Sequence, residues 1–545
     1  MHSMRIKIKS LSFIPLVVIC TVLFILGLKD IADEHIYSGD MYSYALNGIY
    51  FSDLFKDRPI TNIIDYSIHY YAQYPALSIG HHAPFLSFII GIFYLFTDYS
   101  IVTGKVVVFL FGMMGAVAWF LLTEKIFGKK IAFLSSLLIV TNPYIIKYFK
   151  IIMTEIPTMS MIILSAYLFY QYIELGKKNY AYSFAVCAAL SIWTKQVAFF
   201  MLPVYLLYVL LTKKGKLLIQ KEAVWSYIII LAIVSPFIII TFKYGVLNLQ
   251  SLEGSPFARL NANKLAYHIK ALYTGQLILP VLVLSIISML GSIFTRDRRF
   301  ILFFLWVIFC YFQMTYLRSF ARDTIYWIPP LCLFAATSIE YIKWKIQKTH
   351  IMAAVLLALG AYQFFISYHT SPVRLKGFEE AAQYVIDNRK GNAVFFEGYH
   401  DPIMVYNIRK HDNTRDMIVL RGSKILATSK MRRTIREKMS TADEILTAFE
   451  VFGVKHIIIE DKSYEKVKIY ATLRNLLKTD DFDLKKEIIV EGSDRGLRYH
   501  PRKLLVYEFN GDGIPKAGYL SMDLPIVGQQ IKLPIDQIRL SNILP

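Results

Sequence analysis

Eleven apolar runs divided by short polar stretches pattern the first 370 residues, near 11 to 28, 101 to 123, 131 to 149, 156 to 175, 180 to 194, 197 to 212, 223 to 243, 273 to 295, 300 to 317, 324 to 342 and 351 to 369. Most approach the roughly 20 residues that a helix needs to cross a bilayer, so each predicts a transmembrane helix. Residues 83 to 97, APFLSFIIGIFYLFT, are apolar but shorter. Together with the aromatic stretch Met41 to Phe55 they are assigned to interfacial or re-entrant segments of a long external loop from Lys29 to about Ser100. From about Pro372 the pattern changes. Gly377 to Asn388 reads as an amphipathic helix, while AVFFE (393 to 397), MIVLR (417 to 421), HIIIE (456 to 460), EIIVE (487 to 491) and KLLVYEF (503 to 509) read as short buried strands. The expected fold class is therefore an α-helical multi-pass membrane protein of about 11 transmembrane helices over 1 to 371, with a small α/β domain over 372 to 510 and an extended tail over 511 to 545.

Composition sharpens this picture. With 55% hydrophobic residues and a mean hydropathy of +0.44, the chain is too apolar for a soluble globular protein. Its net charge of +20 would suggest a nucleic-acid partner in a soluble protein. Here the lysines and arginines gather between apolar runs: Lys125/Lys129/Lys130, Lys177/Lys178, Lys213/Lys214/Lys216/Lys221, Arg296/Arg298/Arg299 and Lys343/Lys345/Lys348. Alternate threading puts all of them on the side of the N-terminus, as the positive-inside rule requires, so no nucleic acid is called for. Counting 83 to 97 as a crossing would invert every later loop. The first run follows Arg5, Lys7 and Lys9 and carries no small-x-small cleavage site, which reads as a retained signal anchor. The expected location is the plasma (inner) membrane, with the N-terminus cytoplasmic and the C-terminal domain extracytoplasmic. Cys20, Cys187, Cys310 and Cys332 all lie in apolar runs, so neither a disulfide framework nor a CxxC metal site is available.

The same threading collects charges on the outer face: Asp33, Glu34 and Asp40 in the first loop, Glu155 at a helix start, Lys195 at a short hairpin, and Arg318, Arg322 and Asp323 between later helices. Asp40 is either a loop acid serving as a helix cap or a proton acceptor, with Asp33 and Glu34 as competitors. Glu155, in Met153-Thr154-Glu155-Ile156-Pro157, suits a helix N-terminus with Thr154 as cap, and also a functional carboxylate. Lys195 is harder to explain by structure alone, because an ionisable group between two short apolar segments is costly. Arg318 and Arg322 would share a face if that stretch is helical, a geometry suited to phosphate, although Asp323 could neutralise Arg322. His81-His82 has no metal-ligand spacing and fits packing or substrate hydrogen bonding. Tyr42, Tyr44, Tyr50, Tyr66, Tyr70, Tyr71 and Tyr74 read as an interfacial belt, with one or two open to stacking on a sugar.

In this order the residues resemble the membrane glycosyltransferases of the GT-C fold, in the branch of the protein O-mannosyltransferases and the aminoarabinose and related polyprenyl-phosphate-sugar transferases. The likeness spans about 11 to 370. It rests on Asp40 followed by Tyr44, Ala45 and Gly48, then His81-His82-Ala83-Pro84, Glu155-Ile156-Pro157, Thr194-Lys195 and the run ARDTIYWIPP at 321 to 330. The family's Asp-Glu pair is here Asp40-Met41, and a true pair, Asp33-Glu34, stands earlier. The resemblance implies a polyprenyl-phosphate-linked sugar donor, an external site, inversion at the anomeric carbon, and an acceptor hydroxyl on lipid, glycan or protein. A phosphate leaving group needs no protonation, so one carboxylate suffices as general base, with cations steadying the charge that grows on the phosphate. In this reading Asp40 is the base, Lys195 with Arg318 or Arg322 holds phosphate, and Glu155, His81, His82 and Tyr44 bind substrate. No cofactor is required, although carboxylates distant in sequence could assemble a divalent-metal site. The rival class is a transporter or flippase of lipid-linked sugars, which would also keep charges in the membrane but usually shows paired halves.

Overall fold

The computed structural model of the protein describes residues 13–59, 62–79, 81–244, 262–317, 320–342, 348–430, 434–464, 467–492, 502–524 and 529–542. Two compact units emerge. The first comprises Met1–Ala32, Lys105–Ile239 and Gln250–Ser371, and the second Asp33–Gly104, Ile240–Leu249 and Pro372–Pro545. The chain is a multi-pass membrane protein.

The first unit is helical, and a helix lies in each of the eleven apolar runs. Among the described residues five are long and apolar enough to cross a membrane by themselves: Ile101–Phe127, Glu155–Ile173, Lys221–Lys243, Arg298–Tyr316 and His350–His369. The run expected as one crossing at 131 to 149 is broken instead. Lys129–Val140 and Pro143–Phe149 meet at 63°. The cause is local: Asn142 leaves helical geometry, its side chain caps the second helix by accepting from the Ile145 amide, and Pro143 occupies the first turn. The later runs are also trimmed. Residues 272 to 276 form a π-helical turn before the helix Leu279–Phe294, and Ala321–Trp327 is a 3₁₀ helix that feeds Ile328–Tyr341.

The second unit joins the first-loop helices to the C-terminal domain, so the loop groups with the α/β domain rather than with the helical bundle expected to contain it. The domain holds a five-stranded sheet of β1 (Ala393–Glu397), β2 (Ile418–Arg421), β5 (Val454–Glu460), β6 (Phe482–Ile489) and β7 (Lys503–Phe509), in the order β2-β1-β5-β7-β6. β1 pairs in parallel with β2 and β5, while β7 runs antiparallel to both β5 and β6. β1, β2 and β5 carry nearly continuous buried apolar runs, as parallel strands covered on both faces do. β6 is an edge strand with mostly exposed side chains, not the buried strand its EIIVE run suggests. The expected extended tail is also corrected, because β8 (Tyr519–Leu524) and β9 (Gln529–Pro534) pair as an antiparallel hairpin. β3 (Ala427–Lys430) and β4 (Thr434–Glu437) form a second two-stranded ribbon.

Candidate active site

In the helical unit, the helix Tyr180–Thr194 stops at Lys195, whose backbone is extended (φ −160°, ψ 129°), before the 3₁₀ turn Gln196–Phe200 leads into Met201–Leu211. The break turns the Lys195 side chain into the protein. Its Nζ lies 3.0 Å from Glu155 Oε1 and 3.0 Å from Asp323 Oδ1. Glu155 and Asp323 are 0% and 1% exposed, so one ammonium bridges two carboxylates that water does not reach. Arg322 completes the group, with Nε 3.8 Å from Glu155 Oε1. Asp323 is thus a partner of Lys195.

The segment bearing Arg322 and Asp323 is held by two side chains from outside it, Gln276 and Trp306. Gln276 donates from Nε2 to the Ala321 carbonyl (2.6 Å) and to Thr324 Oγ1 (2.8 Å), and accepts from Trp327 Nε1 (2.6 Å). Trp306 donates to the Tyr326 carbonyl at 2.9 Å. These bonds fix the 3₁₀ geometry of Ala321–Trp327. Arg318 lies outside the described residues. Glu155 Oε2 has no hydrogen-bond partner among the described residues, so one oxygen of this carboxylate is available to a ligand. Thr154 stands at the N-cap of the helix Glu155–Ile173 but makes no capping bond.

In the other unit Asp40 occupies the N-cap position of the helix Met41–Asp57, and its carboxylate makes no capping hydrogen bond. Capping is thus not its role. Tyr44 is one helical turn on, on the same face. Its hydroxyl lies 3.3 Å from His82 Nδ1, with the two rings 4.7 Å apart. His81 packs against His82 at 4.8 Å between centroids. Tyr44, His81 and His82 therefore pack together, with Tyr44 on the helix that Asp40 opens.

The competing acids are engaged elsewhere. Asp33 is ion-paired with Arg374 and accepts the His35 amide at 3.0 Å. Glu34 accepts from Lys410 Nζ at 2.7 Å and from Ser100 Oγ at 2.6 Å. The tyrosine belt is corrected as well. Tyr42, Tyr44, Tyr50, Tyr66, Tyr70 and Tyr74 are all at most 5% exposed, and form a core inside the second unit. Three of them donate to buried carboxylates: Tyr66 to Asp57 (2.7 Å), Tyr70 to Asp53 (2.8 Å) and Tyr74 to Asp412 (3.1 Å).

Residues 81–240 match the family described as dolichyl-phosphate-mannose-protein mannosyltransferase. Among solved structures, ArnT from Cupriavidus metallidurans in the apo state resembles the chain at 12% identity and TM-score 0.61, over 92% of this chain and 98% of that one. The fold is GT-C. The same ArnT bound to undecaprenyl phosphate aligns at 12% identity and TM-score 0.61, over 90% and 97% of the two chains. A further GT-C structure, the archaeal oligosaccharyltransferase AglB from Archaeoglobus fulgidus in complex with an inhibitory peptide and a dolichol-phosphate, aligns at 11% identity and TM-score 0.51, over 91% and 76%. No curated protein matches the chain in sequence. In this GT-C chain the segment matched to the family contains His81, His82, Glu155 and Lys195.

Two groups escaped the sequence reading. In sequence Asp323 reads only as a neutraliser of its neighbour, yet it is one of two carboxylates on Lys195. Lys105 and Lys150, 0% and 3% exposed, meet at Asp30: Lys105 Nζ donates to its carbonyl and Lys150 Nζ to its carboxylate, both at 3.1 Å. Lys150 also donates to the Thr370 carbonyl at 3.2 Å, tying four stretches of the chain together. The visible signal was a lysine five positions into an apolar helix.

Proposed function

We propose that the protein is an inverting glycosyltransferase of the plasma membrane, moving a sugar from a polyprenyl-phosphate donor to an acceptor hydroxyl on lipid, glycan or protein at the outer face. The observation that carries this reading is the buried Glu155–Lys195–Asp323 group with Arg322 beside it, built into a GT-C fold. A charged cluster of this kind in an apolar unit marks function by default. The undecaprenyl phosphate bound by ArnT and the dolichol-phosphate bound by AglB support a lipid phosphate as the ligand class.

Asp40 removes the proton from the acceptor hydroxyl, whose oxygen attacks the anomeric carbon. The bond from that carbon to the phosphate oxygen breaks, and the lipid phosphate leaves with the electron pair. Arg322, with a side chain 33% exposed, can turn toward the leaving phosphate, and Lys195 holds Glu155 and Asp323 in place behind it. Glu155 has an oxygen to offer a sugar hydroxyl, and Tyr44, His81 and His82 complete the substrate contacts. Arg318 is the alternative phosphate ligand.

The test is transfer from radiolabelled polyprenyl-phosphate sugars by purified protein. Lys195→Ala should weaken donor binding or turnover, and Lys195→Arg should rescue only in part, since a planar fork does not reproduce a compact ammonium between two carboxylates. A melting curve beside each assay separates lost chemistry from lost folding. Turnover should survive EDTA. Loss reversed by a divalent ion would replace the cation clamp by a metal, and donor crossing liposomes without transfer would favour a flippase.

The orientation has its own test. Cysteines placed at Lys376 and Asn392 should react with a membrane-impermeant thiol reagent in intact cells. Reaction only after lysis would place the C-terminal domain in the cytoplasm and overturn the external site.

A further inference from the structure

The helical unit contains a second feature that the transfer reaction does not use. A cavity of about 300 Å³ opens between the helices Glu155–Ile173, Tyr180–Thr194, Met201–Leu211 and Lys221–Tyr244, with Phe169, Phe184, Tyr205, Val209, Ala223 and Ile230 among its walls. Its rim includes Leu206 and Tyr227, each 48% exposed, so it opens sideways onto the apolar surface. Helix Lys221–Lys243 shields it loosely, with only 22% of its apolar window buried.

One polar atom inside is unexplained. Tyr172 lines the cavity and is 6% exposed, yet its hydroxyl has no hydrogen-bond partner among the described residues. The other hydroxyl side chains there have partners: Ser226 donates to the Ala181 carbonyl at 3.0 Å, Tyr227 donates to the Leu218 carbonyl at 3.2 Å, and the Tyr205 hydroxyl lies 2.6 Å from Ser165 Oγ. An unpaired buried donor is unfavourable, so the cavity fits an occupant that is largely hydrocarbon and carries an acceptor near Tyr172.

Charge identifies the rest of that occupant. The stretches 174 to 178 and 213 to 222, which flank the cavity in sequence, contain six lysines and two glutamates. Lys214 pairs with Glu174 and Lys178 with Glu222, while Lys177, Lys213, Lys216 and Lys221 are exposed. Position separates this place from the transfer chemistry. Glu155 opens the helix whose other end carries Tyr172, and 17 residues at 1.5 Å each set them about 26 Å apart along its axis. A lipid phosphate beside Glu155 and a headgroup beside these lysines would lie in opposite leaflets.

We propose that this cavity binds one anionic glycerophospholipid, with an acyl chain between the helices, an ester oxygen accepting from the Tyr172 hydroxyl, and the phosphate headgroup among Lys213, Lys216 and Lys221. The proposal rests on the chain being a multi-pass membrane protein and is independent of its reaction. Native mass spectrometry of the detergent-purified full chain, titrated with phosphatidylglycerol or with phosphatidylcholine of the same acyl chains, tests it. Phosphatidylglycerol should be retained as a single adduct at least tenfold more tightly. The double variant Lys216→Gln/Lys221→Gln should weaken phosphatidylglycerol by roughly 25-fold, about fivefold per lysine, and leave phosphatidylcholine unchanged. Tyr172→Phe should weaken both lipids by about fivefold. Ala223→Trp should abolish the adduct by filling the cavity, with Ala223→Leu as the milder variant should tryptophan prevent folding. Equal retention of the two lipids, full retention by a folded Ala223 variant, or displacement of phosphatidylglycerol by one equivalent of undecaprenyl phosphate would each overturn the proposal.

Discussion

Asp40→Asn should reduce sugar transfer by about 10²–10⁴-fold, the range of a general-base contribution, while leaving the melting temperature and donor binding close to those of the parent protein. The substitution removes a proton acceptor and almost no volume. Little stability should be lost, because Asn keeps the shape of a side chain that is only half-buried. The two nearby acids should behave differently. Asp33→Asn breaks the pair with Arg374, and Glu34→Gln weakens a bond to Lys410 that Glu379 shares at 2.8 Å. Both should lower the melting temperature more than they lower turnover per folded molecule. Turnover measured against the folded fraction decides the matter: an inactive, folded Asp33 or Glu34 variant beside a normal Asp40→Asn would move the base to the earlier pair.

How legible the molecule was depends on the kind of signal. Periodicity located the helices in the apolar runs and four of the five sheet strands closely, because burial of a helix or strand face leaves its mark on consecutive residues. KLLVYEF and AVFFE match β7 and β1 to the residue. Breaks were harder. Asn142-Pro143 is a start signal for a helix, yet the two apolar stretches that flank it read as one span. Among the site residues, the position of Lys195 between short apolar segments was informative because a cation there must find a partner. The identity of that partner was not, since Asp323 comes from a segment whose 3₁₀ geometry is imposed by Gln276, Trp306 and other distant side chains. The tyrosines misled for a related reason. An aromatic run near a membrane resembles an interfacial belt, and only tertiary structure brings it against buried carboxylates.

The strongest structural effect is expected at one of those carboxylates. Asp53, on the helix that Asp40 begins, is 2% exposed. Its Oδ2 accepts from Arg409 Nη2 at 2.6 Å and from Tyr70 at 2.8 Å, and its Oδ1 accepts from Tyr99 at 2.9 Å. Arg409, 3% exposed, comes from the helix Asp401–His411 of the C-terminal domain and lies over the rings of Tyr99 (5.4 Å) and Tyr74 (5.7 Å). Arg409→Met removes the cation and leaves a buried carboxylate uncompensated, which should cost about 3–5 kcal/mol. Arg415→Met, at the more exposed pair with Asp57, should cost only about 1 kcal/mol or less. The double variant Asp53→Leu/Arg409→Met tests whether the loss comes from a stranded charge or from packing. If charge dominates, the double variant should recover most of the stability, because no uncompensated ion remains. Hydrogen exchange across Met41–Asp57 supplies the readout. Protection should fall in the single variant and return in the double, and transfer should follow it, since the same helix carries Tyr44 and begins at Asp40. A single variant with unchanged exchange and melting would mean that the first-loop helix does not depend on the C-terminal domain.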